Sequence, residues 1–398
     1  MRSRSGHPFL VAALLVVVSG VLLSACARPQ DDGDRTAANS PEAAAGRPAS
    51  RPQIRWRMAS TYPSHVVILG SMGKRVEQLV REISGGRFVL RFYEPGALTP
   101  PFEIFDAVAY GAIEAGWSTP GYWAGREPAL QLFASVPFGP RAEEYLAWFD
   151  HGGGREIFEE IYHRHGIHSL ICGVSPPEAG GWFKRPITKP EDFRGLKIRY
   201  FGLGGKVLEK LGASVQLLAG GDIFPALELG TIDATEYSVP AVDLNMGFYQ
   251  AAKHYYFPGW HQQSTFFELL VNLKKWQGLP AADKAILQAA CSANIRESLS
   301  EGEALQVAAI EKLKAKGVVF HQWPSAVLTA LRQAWDEVAE ELAAEDADFA
   351  RAWKSLNAFR ARSRTWRQLG YLPEALTAPA APSPSPPAAG GNGGREGS

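Results

Sequence analysis

Apolar and polar positions change their period along this chain, and the changes mark its elements. The run Ile54–Ser60 alternates with period two and predicts a strand. Apolar residues at helical spacing over 67–83 predict an amphipathic helix, closed by Gly85 and Gly86. A strand at Phe88–Tyr93, a helix over 102–110 and a short strand over 112–118 follow. An aromatic loop, 121–125, comes next. Residues 143–165 read as helix interrupted by Gly152, Gly153 and Gly154, and 167–172 as strand. The stretch 195–240 organises the chain. It reads as a strand (196–201), a turn at Gly204 and Gly205, a helix (206–211) stopped by Gly212, and a strand (214–218). Asp222 then caps a helix (223–229) that ends at Gly230, ahead of a third strand (232–239). Another strand, 266–272, is placed to return to the first lobe. Beyond Pro280 the pattern is helical: 281–317, 325–344 and 348–369. No internal repeat is evident.

The order is therefore βαβαβ, a crossover, a second βαβαβ, a return strand and a helical tail. This is the layout of a two-lobed α/β binding protein with its cleft between the lobes, although two-lobed enzymes share it. Ligands of such sheets sit at the carboxyl ends of the strands. The predicted division is lobe 1 at 53–174, continued by 266–325, lobe 2 at 175–265, and C-terminal helices at 326–376.

Composition adds limits. The 398 residues are 46% hydrophobic, enough for two cores. Lys and Arg (41) balance Asp and Glu (41), which argues against a nucleic-acid partner. The N-terminus carries Arg2 and Arg4, an apolar run over 9–23, and then Leu23-Ser24-Ala25-Cys26. That pattern predicts a signal peptide (1–25) and a lipobox, with a lipid on Cys26 anchoring the exported protein. Residues 26–52 read as a flexible tether and 377–398 as a disordered tail, both poor in large apolar residues. Cys172 and Cys291 either pair in an oxidising compartment or stay as buried free thiols.

Chemistry-bearing motifs are few. Gly202-Leu203-Gly204-Gly205 follows a strand, but Val207 stands where a dinucleotide fingerprint needs its third glycine and a phosphate loop needs Ser or Thr. A turn is the better reading. His163, His165 and His168 have no cysteine or carboxylate spaced with them and read as dipole-complementing residues at a helix C-terminus. There is no HExxH, Gly-x-Ser-x-Gly or identifiable Ser-His-Asp set, and nothing argues for an enzyme. Arg199, inside an apolar strand, needs a partner. Either a bound carboxylate held by its planar fork or an internal bridge to Glu236 or Asp233 would serve.

Several segments together resemble the solute-binding subunits of TRAP transporters, the DctP-like family, nearest its metal-dependent 2-oxo-acid and lactate branch. They are Phe102-Glu103-Ile104-Phe105-Asp106-Ala107-Val108, Tyr122-Trp123-Ala124-Gly125, Val136-Pro137-Phe138-Gly139, Gly180-Gly181-Trp182-Phe183, Gly195-Leu196-Lys197-Ile198-Arg199, Ala219-Gly220-Gly221-Asp222-Ile223, Gly230-Thr231-Ile232-Asp233-Ala234 and Phe257-Pro258-Gly259-Trp260. The resemblance, over about 55–369, implies a periplasmic-binding-protein fold with hinge strands. It implies that Arg199 pairs with a small monocarboxylate such as pyruvate or lactate. It implies a bridging sodium or calcium ion held by Glu178, Glu236, the Tyr237 carbonyl and Gln262. Two positions depart from the family pattern, which has Gln where Glu178 stands and Glu where Gln262 stands. Val174 replaces a family Asn. Tyr62, Trp117, Tyr122, Trp182 and Tyr237 are expected to line the pocket. Membrane permease subunits are the implied partners. The alternatives are a ligand-sensing lipoprotein and an exported metallo-enzyme. The tail aromatics Phe349, Trp353, Phe359, Trp366 and Tyr371 either support a homodimer, as in that branch, or pack within one chain.

Overall fold

The computed structural model describes residues 53–372, so the signal peptide, the Cys26 lipobox, the tether and the tail beyond 372 lie outside the described residues. The elements are β1 (Ile54–Ser60), α1 (Leu69–Ile83), β2 (Phe88–Tyr93), α2 (Ile104–Ala109), β3 (Ala115–Ser118), α3 (Ala142–His151), α4 (Gly154–Arg164) and β4 (Ile167–Ser175). Then come β5 (Gly181–Phe183), β6 (Lys197–Arg199), α5 (Gly202–Lys210), β7 (Ser214–Gln216), α6 (Gly220–Glu228), β8 (Ala234–Thr235), α7 (Pro240–Met246) and β9 (His254–Phe257). The chain closes with β10 (Thr265–Asn272), α8 (Leu273–Gln277), α9 (Ala281–Ala315), β11 (Val319–Gln322), α10 (Ser325–Glu345) and α11 (Ala347–Gly370). No helix among the described residues is long and apolar enough to cross a membrane.

Two sheets carry the two lobes. The first has the order β2-β1-β3-β10-β4 and the second β11-β9-β5-β8-β6-β7. In the first, β1 runs parallel to β2 and β3, while β10 returns antiparallel between β3 and β4. Every residue of β4 and β10 is buried, so their polar members, among them Ser169 and Glu268, must find partners inside the fold. In the second, β6 is parallel to both β7 and β8. Helix α1 seats Leu69, Met72, Val76 and Val80 on the first sheet, the spacing of one helical face.

Three expectations need correction. The strands of the 195–240 stretch are shorter than alternation suggested, and of 232–239 only β8 forms ladder bonds. The glycine run is not a turn: α5 begins at Gly202. A side-chain carbon on Gly204 would lie 2.7 Å from the Tyr200 ring and 2.8 Å from His261 Cβ, so glycine permits that close packing. Residues 266–325 are expected to continue the first lobe, yet β11 pairs with β9 in the second sheet. The chain therefore crosses between lobes once more than predicted.

Helix α9, at 35 residues, packs on α1 and β4 of the first lobe and on α7 of the second. Cys172 of β4 and Cys291 of α9 form a disulfide across 119 residues of sequence. By loop-closure entropy, a cross-link of that span removes about 5 kcal/mol of freedom from the unfolded chain. Beside it, Asn294 Nδ2 donates to the Cys172 carbonyl and the Val174 amide donates to Ser298 Oγ. α9 thus satisfies backbone groups of β4, the outer strand of its sheet.

The C-terminal helices bridge the lobes. α10 packs on α5, and α11 packs on α3 and α4. Asp346 caps α11 by accepting from the Phe349 amide, and Phe349, Ala352 and Leu356 are buried. Trp353 meets Trp335 of α10 edge to face. These aromatics are packed inside one chain, whereas Trp366 (65% exposed) and Tyr371 (56% exposed) meet each other edge to face and stay largely in solvent.

Glu268 lies buried in β10, accepting from Trp123 Nε1 (2.7 Å) and Ser169 Oγ (2.5 Å). Burial pushes its carboxyl up to about 7 against these hydrogen bonds, and burial likewise takes Asp243 to about 7. The folded state then holds a proton that the unfolded chain releases above its ordinary carboxylate range. Stability from Glu268 is complete below about pH 4.5 and is lost as pH rises towards 7, a total of ~3 kcal/mol. Glu268→Gln keeps an acceptor and cannot ionise. Melting temperatures followed by circular dichroism from pH 5 to 8 are expected to fall less steeply in this variant, with Asp243 and Glu178 contributing to the remaining slope. A parental slope would contradict the assignment.

Candidate functional site

The site is built where β6 and β8 end side by side. The Glu236 amide donates to the Arg199 carbonyl (3.1 Å), carrying the parallel pairing one residue past β8. Both side chains are therefore at the carboxyl edge of the sheet. Arg199 is 1% exposed and Glu236 is wholly buried. Arg199 Nη1 donates to the Glu236 carbonyl (2.5 Å) and to Glu236 Oε2 (3.0 Å), which also accepts from the Phe201 amide (3.0 Å). The guanidinium carbon stands 5.3 Å from the Tyr237 ring centre. Nη2 has no hydrogen-bond partner among the described residues. The internal bridge expected with Glu236 exists, and half of the fork stays free. Asp233 instead accepts from the Lys197 amide.

The second wall comes from a loop that sequence periodicity does not mark. The Gly259 amide donates to the Glu178 carbonyl (2.9 Å) and the Glu178 amide to the Gln262 carbonyl (3.0 Å). A side-chain carbon on Gly259 would lie 2.3 Å from the Glu178 oxygen, so only glycine allows the approach. This reciprocal pairing sets His261 and Gln262 beside Glu178. Thr265 Oγ1 links them, accepting from Gln262 Nε2 (2.7 Å) and donating to Glu178 Oε1 (3.1 Å). Gln263 turns away and bonds the Gly259 carbonyl.

A cavity of about 20 Å³, narrow enough for a single water, lies between the lobes. Its walls are Glu178, Arg199, Phe201, Tyr237 and Gln262 on one side and Tyr62, Leu69, Thr119, Tyr122, Thr265 and Phe267 on the other. Tyr62 and Tyr122 meet at a tilt at 6.0 Å, and Tyr122 meets Phe201 edge to face across the cleft at 5.1 Å. Burial holds both phenols above their ordinary range, so they stay neutral. Trp182 and Trp117 are not cavity walls. Trp182 stacks on Tyr255 at 3.8 Å and donates to Asp243, while Trp117 stacks on Phe267 and donates to the Leu69 carbonyl. Indoles of that size are buried best where a fixed acceptor meets the N–H.

The electrostatics are unbalanced. Burial, then the neighbouring Glu236 and Asp243, hold the Glu178 carboxyl well above the usual range. Burial opposes ionisation of Glu236 too, but the Arg199 guanidinium beside it outweighs burial and holds that carboxyl low. Glu178 Oε2, Glu236 Oε1, Gln262 Oε1 and His261 Nε2 are all buried with no hydrogen-bond partner. One donor atom each from Glu178, Glu236 and His261 lie within 4.8 Å of one another. Converging lone pairs without donors are costly unless a cation meets them, so the residues present fit a metal ion. The histidines 163, 165 and 168 form no such group: His163 bonds His168 at 3.0 Å, His168 stacks on Trp276, and His165 faces Glu127.

His261, Thr265, Phe201 and Phe267 are site residues that sequence reasoning missed. Only His261 carried a signal, since it sits between two positions of the Pro258–Gln262 segment that had been singled out.

A two-lobed fold with a basic fork and a knot of unmatched acceptors in a closed cleft defines a solute receptor. The comparisons agree: residues 58–346 match the family described as bacterial extracellular solute-binding protein, family 7 (DctP), and the chain belongs to that family. A monocarboxylate 2-oxoacid-binding periplasmic protein of Nostoc sp. is 34% identical over 325 residues, 81% of this chain and 89% of that protein. A TRAP solute-binding protein of Pseudoalteromonas atlantica, solved with sodium and pyruvate, is 35% identical with a TM-score of 0.77, covering 80% of this chain and 97% of that one. Its counterpart from Colwellia psychrerythraea, solved with calcium and pyruvate, is 36% identical with a TM-score of 0.77 and the same 80% and 97% coverage. A third, from Bordetella bronchiseptica with co-purified calcium and picolinate, is 32% identical with a TM-score of 0.79, covering 80% and 95%. The protein is thus an extracytoplasmic solute-binding protein of the TRAP type.

Proposed function

We propose that this protein captures a small monocarboxylate of the 2-oxo-acid class, such as pyruvate, together with sodium or calcium, and hands it to TRAP membrane permease subunits. One observation carries the reading: Arg199, with half of its guanidinium unpaired, shares a narrow cavity with Glu178 and Gln262, and these two and the neighbouring Glu236 each present a buried acceptor atom that has no partner. The relatives that bind pyruvate with either ion support it.

Glu178, Glu236, Gln262 and the Tyr237 carbonyl would hold the cation, which supplies the positive charge that lets two carboxylates and an acid share one cavity. The chain's own groups do the rest. Arg199 Nη2 binds the acid carboxylate, and the Nη1 bonds to Glu236 hold the fork in place. Tyr62, Tyr122 and Tyr237 shape a pocket for a short acid and exclude water. Closure lowers the local dielectric and strengthens each charged contact. Glu178 and Gln262 exchange the family's amide and carboxylate between two positions linked through Thr265, so the donor set keeps two carboxylates and one amide.

Calorimetry on protein freed of ligand and metal tests this. Arg199→Ala is expected to weaken pyruvate binding by about 100-fold or more, the scale of a lost charged hydrogen-bond pair. Chelating calcium in sodium-free buffer is expected to abolish binding in the parent. Unchanged affinity in the variant refutes the role of Arg199, and binding that survives metal removal refutes the bridging ion.

The lipobox supports a protein tethered through lipid on Cys26, with the 26–52 segment giving reach to the membrane. Cys26→Ser is expected to move the protein from the membrane fraction to the soluble periplasmic fraction. No shift on fractionation excludes the anchor. The exposed Trp366, Leu369 and Tyr371 at the end of α11 support a homodimer. Light scattering is expected to give twice the chain mass, and a monomeric mass rejects pairing.

A further inference from the structure

His261 belongs to none of the donor positions implied by the family resemblance, yet it is 1% exposed and faces the same acceptors. Its Nε2 lies 3.6 Å from Glu236 Oε1 and has no hydrogen-bond partner. Hydrogen-bond bookkeeping at Tyr200 places a hydrogen on Nδ1, which in the neutral ring leaves Nε2 bare. The Gly180 carbonyl only accepts, so the Tyr200 hydroxyl spends its one hydrogen there (3.1 Å). The contact between Tyr200 Oη and His261 Nδ1 (3.0 Å) must then have Nδ1–H donating to the hydroxyl oxygen. That tautomer leaves the Nε2 lone pair turned towards Glu236, one buried acceptor against another. A neutral imidazole with Nδ1–H held by a partner and Nε2 bare is the form in which histidine binds metals. Two donors on one ion, each about 2.1 Å from it in tetrahedral array, lie roughly 3.4 Å apart, close to the spacing seen.

We propose that His261 ligates the site's cation through Nε2 and shifts its preference from sodium or calcium towards a first-row divalent transition ion such as Zn²⁺ or Co²⁺. Sodium and calcium take oxygen donors, whereas imidazole suits zinc, cobalt, nickel and iron. Two carboxylates, one amide oxygen and one imidazole make a mixed site of the second kind. Gly204 belongs to the same device, because its missing side chain lets the α5 backbone close on Tyr200 and His261 Cβ. The inference rests on the reading that this cavity holds a cation at all.

The test uses the full chain stripped of metal and acid, titrated with Co²⁺ alone and with Ca²⁺ alone. His261→Gln keeps the length and a polar head. It is expected to lower the ratio of Co²⁺ to Ca²⁺ affinity by about 100-fold, mainly through Co²⁺. Tyr200→Phe, which removes only the hydroxyl that orients the ring, is expected to lower it about 10-fold. A measurement on the parent needs no variant: the Co²⁺ form should show a paramagnetically shifted, exchangeable proton from the His261 Nδ1–H. An unchanged ratio in His261→Gln, or no such proton in the parent, overturns the proposal. Pyruvate titrated into the Ca²⁺-loaded parent separates the two readings. Acid binding there with an unchanged ratio sinks only the histidine ligand, while a shifted ratio with no acid bound to either metal form sinks the 2-oxo-acid function and leaves His261 as a ligand.

Discussion

A guanidinium that is 1% exposed dominates this structure. Burying a charge is tolerable only with a partner held in good geometry, and removing that partner costs about 3 to 5 kcal/mol. Glu236 supplies it twice over, through its carbonyl and through Oε2. The arrangement requires β6 and β8 to run parallel and to end level, because the pair forms at their carboxyl ends. It also requires the Phe201 amide, which α5 presents as it starts. The second lobe can be read as scaffolding that keeps one arginine paired on one side and free on the other.

The two-lobed layout was legible in the sequence because its signals are local. Alternation found β1 and β2 at their observed bounds, and helical spacing found α1, α9 and α10. The expected strands 196–201 and 232–239 are longer than β6 and β8 because their ends are buried in irregular segments, and burial produces the same pattern as a ladder. The glycine run misled for a related reason. Glycine marks both turns and close packing, and only the position of Tyr200 and His261 separates the two. Strand β11 could not be placed, since short strands carry no record of the sheet they join.

The site was legible only in part. Arg199 and Glu236 stood out as charges in apolar strands. Glu178 and Gln262 came from resemblance, and the structure brings them together through Thr265. His261 was hidden, because its significance lies in what Nε2 lacks rather than in any spacing. Trp182 went the other way: its place beside a family motif suggested a ligand wall, while its indole is committed to Asp243 and Tyr255. The first sheet's Glu268 shows the same economy, with its carboxyl committed to Trp123 and Ser169.

Asn294 and Ser298 lean from α9 onto the outer edge of β4. An outer strand with free amides and carbonyls is a template on which another chain can add a strand. Here the Cys172 carbonyl and the Val174 amide are occupied, and the Cys172–Cys291 bond ties the covering helix to the strand it covers. A helix held by packing alone lifts off whenever the protein breathes, exposing the edge for that moment. One held covalently does not. In an exported protein that must survive without cytoplasmic chaperones, the cross-link therefore protects solubility as well as fold, and reduction would open a route to self-association even in molecules that remain folded.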